Sequence, residues 1–439
     1  MRRGFIFDHN LCVNCKACSA ACVLENNFNI KPRLIATYNS EVSAALPLSN
    51  LSIACNHCEV PACMNGCPSS AYIRDSSSGA VIMDDKKCIG CKYCIWNCPY
   101  EAPIYDPANR VIGKCHLCYT MLESGMLPAC ADGCPTGALS YGIIDYFDTS
   151  NKPPWFPEKD LNPAVRFSGR SIDVPLRIVP HTLFKRIMNV TNQGKKSNGS
   201  EWSLVLFSFL TVISISIIAS SLIKGVMPDK ILFILLSLLP GMFSIFHLGK
   251  WSRAWRAVVN VRSSPLSREI ILFIIYILIS CYSIIYEIPW LMLSSSFTGF
   301  LLLITIDSVY IYSVRTSRVL LRSGQTFLTS LLIVSFLSDS IIPFLFIAVI
   351  KIVLSVNSVV RNHGNRNTSV LRYVRIVFLI VAGASFVTGV SYPEPSVIAL
   401  FIAGELIDRI LFYFDFEPHG LIVLMNNHLT AIKNEKERD

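Results

Sequence analysis

Charged side chains are scarce in this chain: they make up 16% of its 439 residues, against 52% hydrophobic residues and a mean hydropathy of +0.47. A water-soluble fold of that length carries about a quarter charged residues, so part of the sequence belongs in lipid. Cysteine is almost missing from the second half, where Cys281 alone of the seventeen lies beyond Cys134. The chain therefore divides into two chemically different halves. Acidic residues are outnumbered 30 to 39. The basic excess sits in a linker and in short loops between apolar runs, which speaks for membrane topology and against nucleic acid. A long apolar run is also missing near the N-terminus, where Arg2 and Arg3 are followed by Phe5, Ile6 and Phe7 and then by Asp8, His9 and Asn10. A twin-arginine export signal has no room for its apolar core there, and the N-terminus reads as mature protein.

What is abundant is cysteine in four groups: Cys12, Cys15, Cys18, Cys22; Cys55, Cys58, Cys63, Cys67; Cys88, Cys91, Cys94, Cys98; and Cys115, Cys118, Cys130, Cys134. Groups one and three have the C-x2-C-x2-C-x3-C spacing of the bacterial iron–sulfur run, in which three thiolates hold one cubane and the fourth reaches a neighbouring cluster. Groups two and four stretch an interior gap and keep the outer spacings. A tight loop can aim three thiolates at three irons of one cube, while the residue after x3 opens a helix facing away. Proline follows that fourth cysteine in "NCPYEAP", "GCPSSAY" and "GCPTGAL", at a helix start where a missing N–H costs little; group one has Val23 instead. Sixteen ligands make four [4Fe-4S] clusters. Zinc is the competing metal, but its four-cysteine sites pair two widely separated C-x2-C units and do not repeat three cysteines with a trailing C-P.

Between groups two and three, "AYIRDSSSGAVIMDDKKC" reads as a strand, a Ser/Gly turn and a second strand, which makes a two-cluster ferredoxin unit. "GALSYG" after group four matches "GFIF" before group one, suggesting a second unit nested around the first. Groups two and three then exchange fourth ligands, as do groups one and four. The expected clusters are Cys12, Cys15, Cys18 with Cys134; Cys115, Cys118, Cys130 with Cys22; Cys55, Cys58, Cys63 with Cys98; and Cys88, Cys91, Cys94 with Cys67. A row of closely spaced one-electron centres carries electrons and transforms no substrate.

Residues 151–200 hold six prolines, nine Lys or Arg and three Asp or Glu, which predicts an extended basic linker ending in the hinge "NQGKKSNGSE". It could also strap the cluster domain and touch anionic lipid. Beyond it, apolar runs at about 202–223, 231–248, 270–289, 290–312, 324–340, 341–359, 376–392 and 396–414 approach the ~20 residues that cross a bilayer as a helix. The expected architecture is an α+β ferredoxin-like four-cluster domain (1–150), a basic Pro-rich linker (151–200) and an all-α eight-helix transmembrane bundle (201–439). The fifth run is the shortest and could instead join the sixth as one helix kinked at Pro343. Loops after runs two, four and six contain twelve Lys or Arg, and those on the other side contain Lys224 and Lys230. That asymmetry places the cluster domain in the cytoplasm, at the plasma (inner) membrane.

Ionisable residues within spans default to functional hypotheses. His247, Asp307, Lys351, Glu405, Asp408 and Arg409 all fall near the ends of runs on the cluster-domain side. Lys351 and Arg409 could snorkel, and Asp408 could pair with Arg409 or another neighbour. Their one-sided placement favours a shared polar pocket for a lipophilic quinol, whose oxidation releases two protons with its two electrons. His247 would accept a proton near neutral pH, and Glu405 or Asp307 would orient the ring hydroxyl or pass the proton onward.

"CNHCEVPACMNGCP", "CIGCKYCIWNCPY" and "GKCHLCY" through "ACADGCPTGAL" resemble the four-cluster iron–sulfur subunit of the dimethyl sulfoxide reductase family. "HLGKWSRAWRAVVNVRSSPLSREI" and "GELIDRILFY" resemble that enzyme's eight-helix membrane anchor. The resemblance implies that quinol, with menaquinol the expected species, is oxidised near His247, and that a separate molybdopterin subunit reduces a terminal acceptor such as an S- or N-oxide in anaerobic respiration. The chain departs from the family in fusing the two subunits and in "CPSSA", where a Thr-Gly pair is more usual. Catalytic subunits of this family are commonly exported, which makes the periplasm the alternative side. A formate dehydrogenase or hydrogenase partner would run the same row in reverse, into quinone. A transporter or sensor with a metal-binding regulatory domain is the alternative of another class, but the sequence displays neither inverted repeats nor discontinuous helices.

Overall fold

The computed structural model describes residues 2–38, 49–144, 156, 161–169, 201–313, 322–361, 366–387 and 395–414. Chain contacts divide it into two compact units. The first comprises 1–197, 249–264 and 418–439, and the second 198–248 and 265–417.

The first unit is built on strand β1 (Arg2–Asp8), which pairs antiparallel with β8 (Leu139–Ile144), Phe5 facing Tyr141. On its other edge β1 pairs in parallel with β9 (Val165–Ser168), so part of the stretch expected to be a linker is the third strand of this sheet. Alternation decides what the sheet buries: Phe5 and Phe7 point into the core with Leu139 and Phe167, while Ile6 between them is half-exposed. Phe156 closes that core, with its ring 5.0 Å from Phe167 and 5.3 Å from Tyr100. Each such buried ring is worth about 1.5–3 kcal/mol of transfer free energy.

Three two-stranded hairpins complete the unit: β2 (Leu34–Tyr38) with β3 (Ser49–Ile53), β4 (Tyr72–Arg74) with β5 (Val81–Met83), and β6 (Ile104–Asp106) with β7 (Val111–Gly113). The β4–β5 hairpin is the one expected from "AYIRDSSSGAVIM". Its turn is tied by Asp75, whose carboxylate accepts from the Ser77 and Ser78 hydroxyls and the Ser78 amide. Those bonds hold its pKa down at about 2. Asp106 ties the β6–β7 turn in the same way, through Ala108 and Asn109. Helices α1 (Ala17–Asn26), α2 (Ala62–Asn65), α3 (Tyr93–Asn97), α4 (Tyr119–Glu123) and α5 (Ala129–Asp132) each carry cluster-group cysteines or follow one directly.

The second unit is all helical among its described residues: α6 (Glu201–Lys224), α7 (Lys230–Phe246), α8 (Pro265–Ile285), α9 (Pro289–Ser313), α10 (Thr326–Leu337), α11 (Ile341–Arg361), α12 (Arg366–Val387) and α13 (Pro395–Phe414). Trp202–Lys224, Pro265–Ile285 and Pro289–Tyr310 are long and apolar enough to cross a membrane; Lys230–Phe246 passes that test only together with Trp251–Val258, and Thr326–Leu337 and Ile341–Asn357 are apolar but shorter. Helices α10 and α11 are separate, divided at Ser338–Ser340 where Asp339 has φ +55°. Pro343 falls in the first turn of α11, where it breaks no hydrogen bond. Helix α12 begins about ten residues before the expected 376–392 run, because Arg372 and Arg375 lie inside it and are buried. Serine joins helices across the unit, with Ser214 Oγ 2.7 Å from both Ser237 Oγ and the Tyr276 hydroxyl. Lys224 pairs with Asp339 at 2.6 Å and Lys230 with Glu287 at 2.7 Å. The hinge "NQGKKSNGSE", apart from Glu201, lies outside the described residues.

Candidate functional site

One backbone device recurs in all four cysteine groups. The residue before the second cysteine is left-handed in each: Asn14 (φ +56°), His57 (+42°), Gly90 (+71°) and Leu117 (+67°). A bulky side chain such as Leu117 adopts that region at a cost, so the four loops are held there by their surroundings. The turn brings backbone N–H groups back onto sulfur, Gly90 N to Cys88 Sγ at 3.4 Å and Leu117 N to Cys115 Sγ at 3.3 Å. Two of the four fourth cysteines receive the same, from Ala71 N to Cys67 and from Leu139 N to Cys134, both at 3.4 Å.

The thiols gather in four neighbourhoods that mix the groups. Cys12 lies in the field of Cys15, Cys18 and Cys134. Cys22 lies in that of Cys118 and Cys130, and Cys115 in that of Cys130 and Cys22. Cys58 neighbours Cys55, Cys63 and Cys98, whereas Cys91 and Cys94 neighbour Cys67 and Cys88. Adjacent neighbourhoods touch in sequence: Cys22 feels Cys18, Cys115 feels Cys55, and Tyr72 sits among Cys94, Cys63 and Cys67. The order is a row.

Among the described residues no three His, Cys, Asp or Glu side chains converge tightly enough for a single metal ion. A cubane takes one thiolate at each of four irons, and each of the four neighbourhoods offers four thiols. Burial pushes the Cys22 thiol up to about 12, so a bare thiolate is disfavoured there and a bound iron would supply the missing positive charge. The donor set fits [4Fe-4S] clusters.

A second feature of this unit was not legible in the spacing. Residues 249–264, which join α7 to α8 in sequence, seat on the Cys67 and Cys88 loops. Lys250 N donates to Ile89 O (3.1 Å), Arg253 Nη1 to Asp85 O (2.6 Å) and Cys88 O (3.1 Å), Asn260 Nδ2 to Cys67 O (2.8 Å) and Ser264 Oγ to Gly66 O (2.9 Å). The 3₁₀ turn Trp251–Val258 within this segment leaves Trp251 and Trp255 exposed. Gly249 packs so closely that a Cβ there would stand 2.2 Å from Arg110 O.

In the second unit, the ionisable residues form a buried network. Lys351 pairs with Glu405 and, at 3.3 Å, with Asp408; Arg375 pairs with Asp408 at 2.9 Å. Ser323 Oγ donates to Asp408 at 2.8 Å, and Lys351 Nζ to Thr329 Oγ1 at 2.8 Å. Arg409 donates to Ser208 Oγ and to Gly324 O, each at 2.9 Å, and reaches Asp307 at 4.0 Å. Asp307 caps α10 by accepting from Thr326 N (3.0 Å) and Phe327 N (3.1 Å). Helix α10 thus starts against a loop at 322–325 whose Gly324 and Gln325 are buried, an interruption the hydropathy pattern concealed. His247 ends α7, which packs on α6 and α8, whereas Glu405 stands on α13, which packs on α12 and α6. Asp307, Lys351, Glu405, Asp408 and Arg409 are brought together; Arg375 joins them unforeseen, since its position before an apolar run reads as a loop charge.

Residues 48–144 match the 4Fe-4S dicluster domain family. The B subunit of the anaerobic dimethyl sulfoxide reductase of Haemophilus influenzae is 38% identical over 157 residues, covering 33% of this chain and 76% of that protein. This protein belongs to the family of that iron–sulfur subunit. The corresponding B subunit of Escherichia coli (strain K12) is 38% identical over 152 residues, covering 32% of this chain and 74% of its own length. Protein NrfC of the same strain is 36% identical over 149 residues, 33% and 67%. The first unit is an iron–sulfur electron-transfer module related to these proteins, and its fusion to a membrane anchor agrees with the apolar helices of the second unit.

The "CPSSA" departure from the family pattern is absorbed by the backbone. Ser70, Glu101 and Gly137 each stand three residues after a fourth cysteine, and all three are left-handed, at φ +50°, +58° and +67°. Ser69 Oγ lies 3.6 Å from Cys67 Sγ, as Thr136 Oγ1 lies 3.8 Å from Cys134 Sγ. Nothing among the described residues lies within 4 Å of a Cβ built on Gly137. Gly137→Ala should therefore cost the backbone preference alone, about 1–2 kcal/mol. Denaturant unfolding of the anaerobic protein would check this, and a loss above about 3 kcal/mol would mean a steric conflict.

Proposed function

We propose that this chain is both the electron-transfer subunit and the membrane anchor of a multi-subunit oxidoreductase. It oxidises membrane quinol, with menaquinol the expected species, and delivers electrons through four [4Fe-4S] clusters to a molybdopterin subunit that reduces an S- or N-oxide. The clusters, when bound, supply one-electron steps; the sixteen thiols bind them and fix their order, and Gly90 N, Leu117 N, Ala71 N and Leu139 N donate to four of those sulfurs.

The observation that carries this reading is the seating of residues 249–264 on the Cys67 and Cys88 loops. His247 precedes this segment by two residues. Three residues of chain span at most about 11 Å, so His247 cannot stray farther than that from Lys250, a covalent limit independent of how the two units are arranged. The group expected to take the quinol proton is therefore held close to the last neighbourhood of the row. Exposed Trp251 and Trp255 suit an aromatic belt at the membrane surface.

On this reading quinol gives up two electrons and two protons, and His247 accepts the first proton. Glu405 is engaged by Lys351 and Asp307 by the start of α10, which suits them to shaping the polar pocket and passing protons onward. The basic loops favour a cytoplasmic cluster domain, with Arg372 and Arg375 set aside as buried within α12 and ten loop cations left against Lys224 and Lys230. The eight helices described in the second unit are read as eight passes, of which the 12-residue α10 is too short to span the bilayer core without the residues that flank it.

Gly249→Ala tests the reading without touching a ligand. A methyl there meets the Arg110 carbonyl, so the segment must lift from the cluster loops. Iron content and dithionite reduction should persist while quinol-driven cluster reduction drops sharply, and His247→Ala should give the same pattern. Wild-type rates in both variants would remove the segment and His247 from the electron path.

A further inference from the structure

Two cations are buried inside the cluster unit, neither with a carboxylate partner among the described residues. Arg33, at 2% exposure, donates Nη1 to Ser52 Oγ at 3.1 Å, and Ser52 Oγ stands 3.6 Å from Cys18 Sγ. Its Nε and Nη2 have no hydrogen-bond partner among the described residues, and the Cys130 thiol lies in the field of the guanidinium. The guanidinium lies 4.5 Å from the centre of the Phe5 ring, which keeps water off it. Lys114, at 4% exposure, points Nζ at Cys55 Sγ (3.4 Å) and donates to the carbonyls of Cys115 (2.8 Å) and Val81.

An unpaired charge of this kind costs several kcal/mol to bury, so each cation needs an anion that the polypeptide alone does not provide. Four thiolates with their cluster are that anion. The placement is also specific. Arg33 stands between Cys18 of the first neighbourhood and Cys130 of the second; Lys114 stands between Cys115 of the second and Cys55 of the third. Each cation occupies one internal junction of the row.

We propose that Arg33 and Lys114 are fixed charges that set the relative reduction potentials of the clusters on either side of them. Adding an electron to a cluster adds negative charge, and a cation held against its ligands in a water-free interior stabilises the reduced state. The second neighbourhood touches both cations, and the fourth, beside residues 249–264, touches neither. Electrons entering at the fourth are thus drawn toward the middle of the row. Arg33 and Lys114 are positioning residues that act through the ligand sulfurs.

The assignment rests on the four-cluster reading, and one experiment separates the two. Anaerobic membranes carrying the full chain are titrated electrochemically with paramagnetic resonance detection, and iron per chain is measured in parallel. Arg33→Gln keeps a donor and removes the charge. The reduced-to-oxidised ratio of the first two clusters should fall about tenfold at fixed potential, a shift of about 59 mV for a one-electron couple, while the fourth cluster stays unchanged. Arg33→Lys should stay close to wild type. Lys114→Met should move the second and third clusters and spare the first and fourth.

Unchanged midpoints at full iron content would overturn the charge assignment and leave the four clusters standing. Iron loss shared by the Gln and Lys variants would make Arg33 a structural strut and overturn it as well. A wild-type protein with far fewer than about sixteen irons would instead defeat the four-cluster reading.

Discussion

Cys67→Ala is expected, on the proposed pairing of groups, to damage the cluster assigned to Cys88, Cys91 and Cys94, and to leave the one assigned to Cys55, Cys58 and Cys63 in place. The expectation follows from the crossing of ligands between neighbouring groups: Cys67 belongs by sequence to the second group, yet Cys91 and Cys94 are its neighbours. Iron should fall from about sixteen toward about twelve per chain, the share of one cubane. The double variant Cys67→Ala, Cys91→Ala should lose no more iron than Cys91→Ala alone, because both changes strike one cluster. Cys67→Ala with Cys63→Ala should lose the iron of two. Such non-additivity within a site and additivity between sites is how a double-mutant cycle reports a shared partner. Quinol-driven reduction of the remaining clusters should stop in Cys67→Ala, since the lost cluster is the one beside residues 249–264. If the two double variants behaved in the opposite way, ligands would be exchanged differently and the proposed order of the row would be wrong.

The second large effect belongs to the helical unit. Lys351 is fully buried between Glu405 and Asp408. Lys351→Met would leave two carboxylates to share Arg375, and breaking a buried pair by removing one partner costs about 3–5 kcal/mol. That is a large fraction of the 5–15 kcal/mol that typically separates folded from unfolded protein, so the variant should accumulate poorly in membranes. Adding Glu405→Gln removes one of the stranded charges and should recover much of the loss, with Arg375 still paired to Asp408. Membrane abundance and thermal inactivation midpoints of the two variants would check this. A single variant as abundant and heat-resistant as the parent would show that the network contributes little to folding.

Much of this was legible in the sequence because thiolate spacing is a local property. Four cysteines, a proline and a Ser/Gly turn announce a cluster loop and a hairpin within thirty residues, and the apolar runs announce helices by length alone. What stayed hidden depends on partners distant in sequence. Arg375 reads as a loop charge until Asp408, on another helix, is seen to neutralise it. Arg33 follows a proline and Lys114 precedes Cys115, and nothing local to either says that it is shut away from water. The Gly249–Ser264 segment reads as a basic loop between spans, although its hydrogen bonds go to cluster-loop backbone. Val165–Ser168 lies in a Pro-rich stretch that predicts a tether, yet it is a strand because β1 offers an open edge. The left-handed residues before each second cysteine carry a glycine only at Gly90, so composition gave no hint of a shared turn.

Iron, acid-labile sulfide and zinc per chain in anaerobically purified protein, measured with the paramagnetic signal after dithionite, test the central claim most directly. Four cubanes predict about sixteen irons, as many sulfides, negligible zinc and a reducible signal from interacting clusters. About eight irons, or zinc in place of iron with no paramagnetic signal, would contradict it.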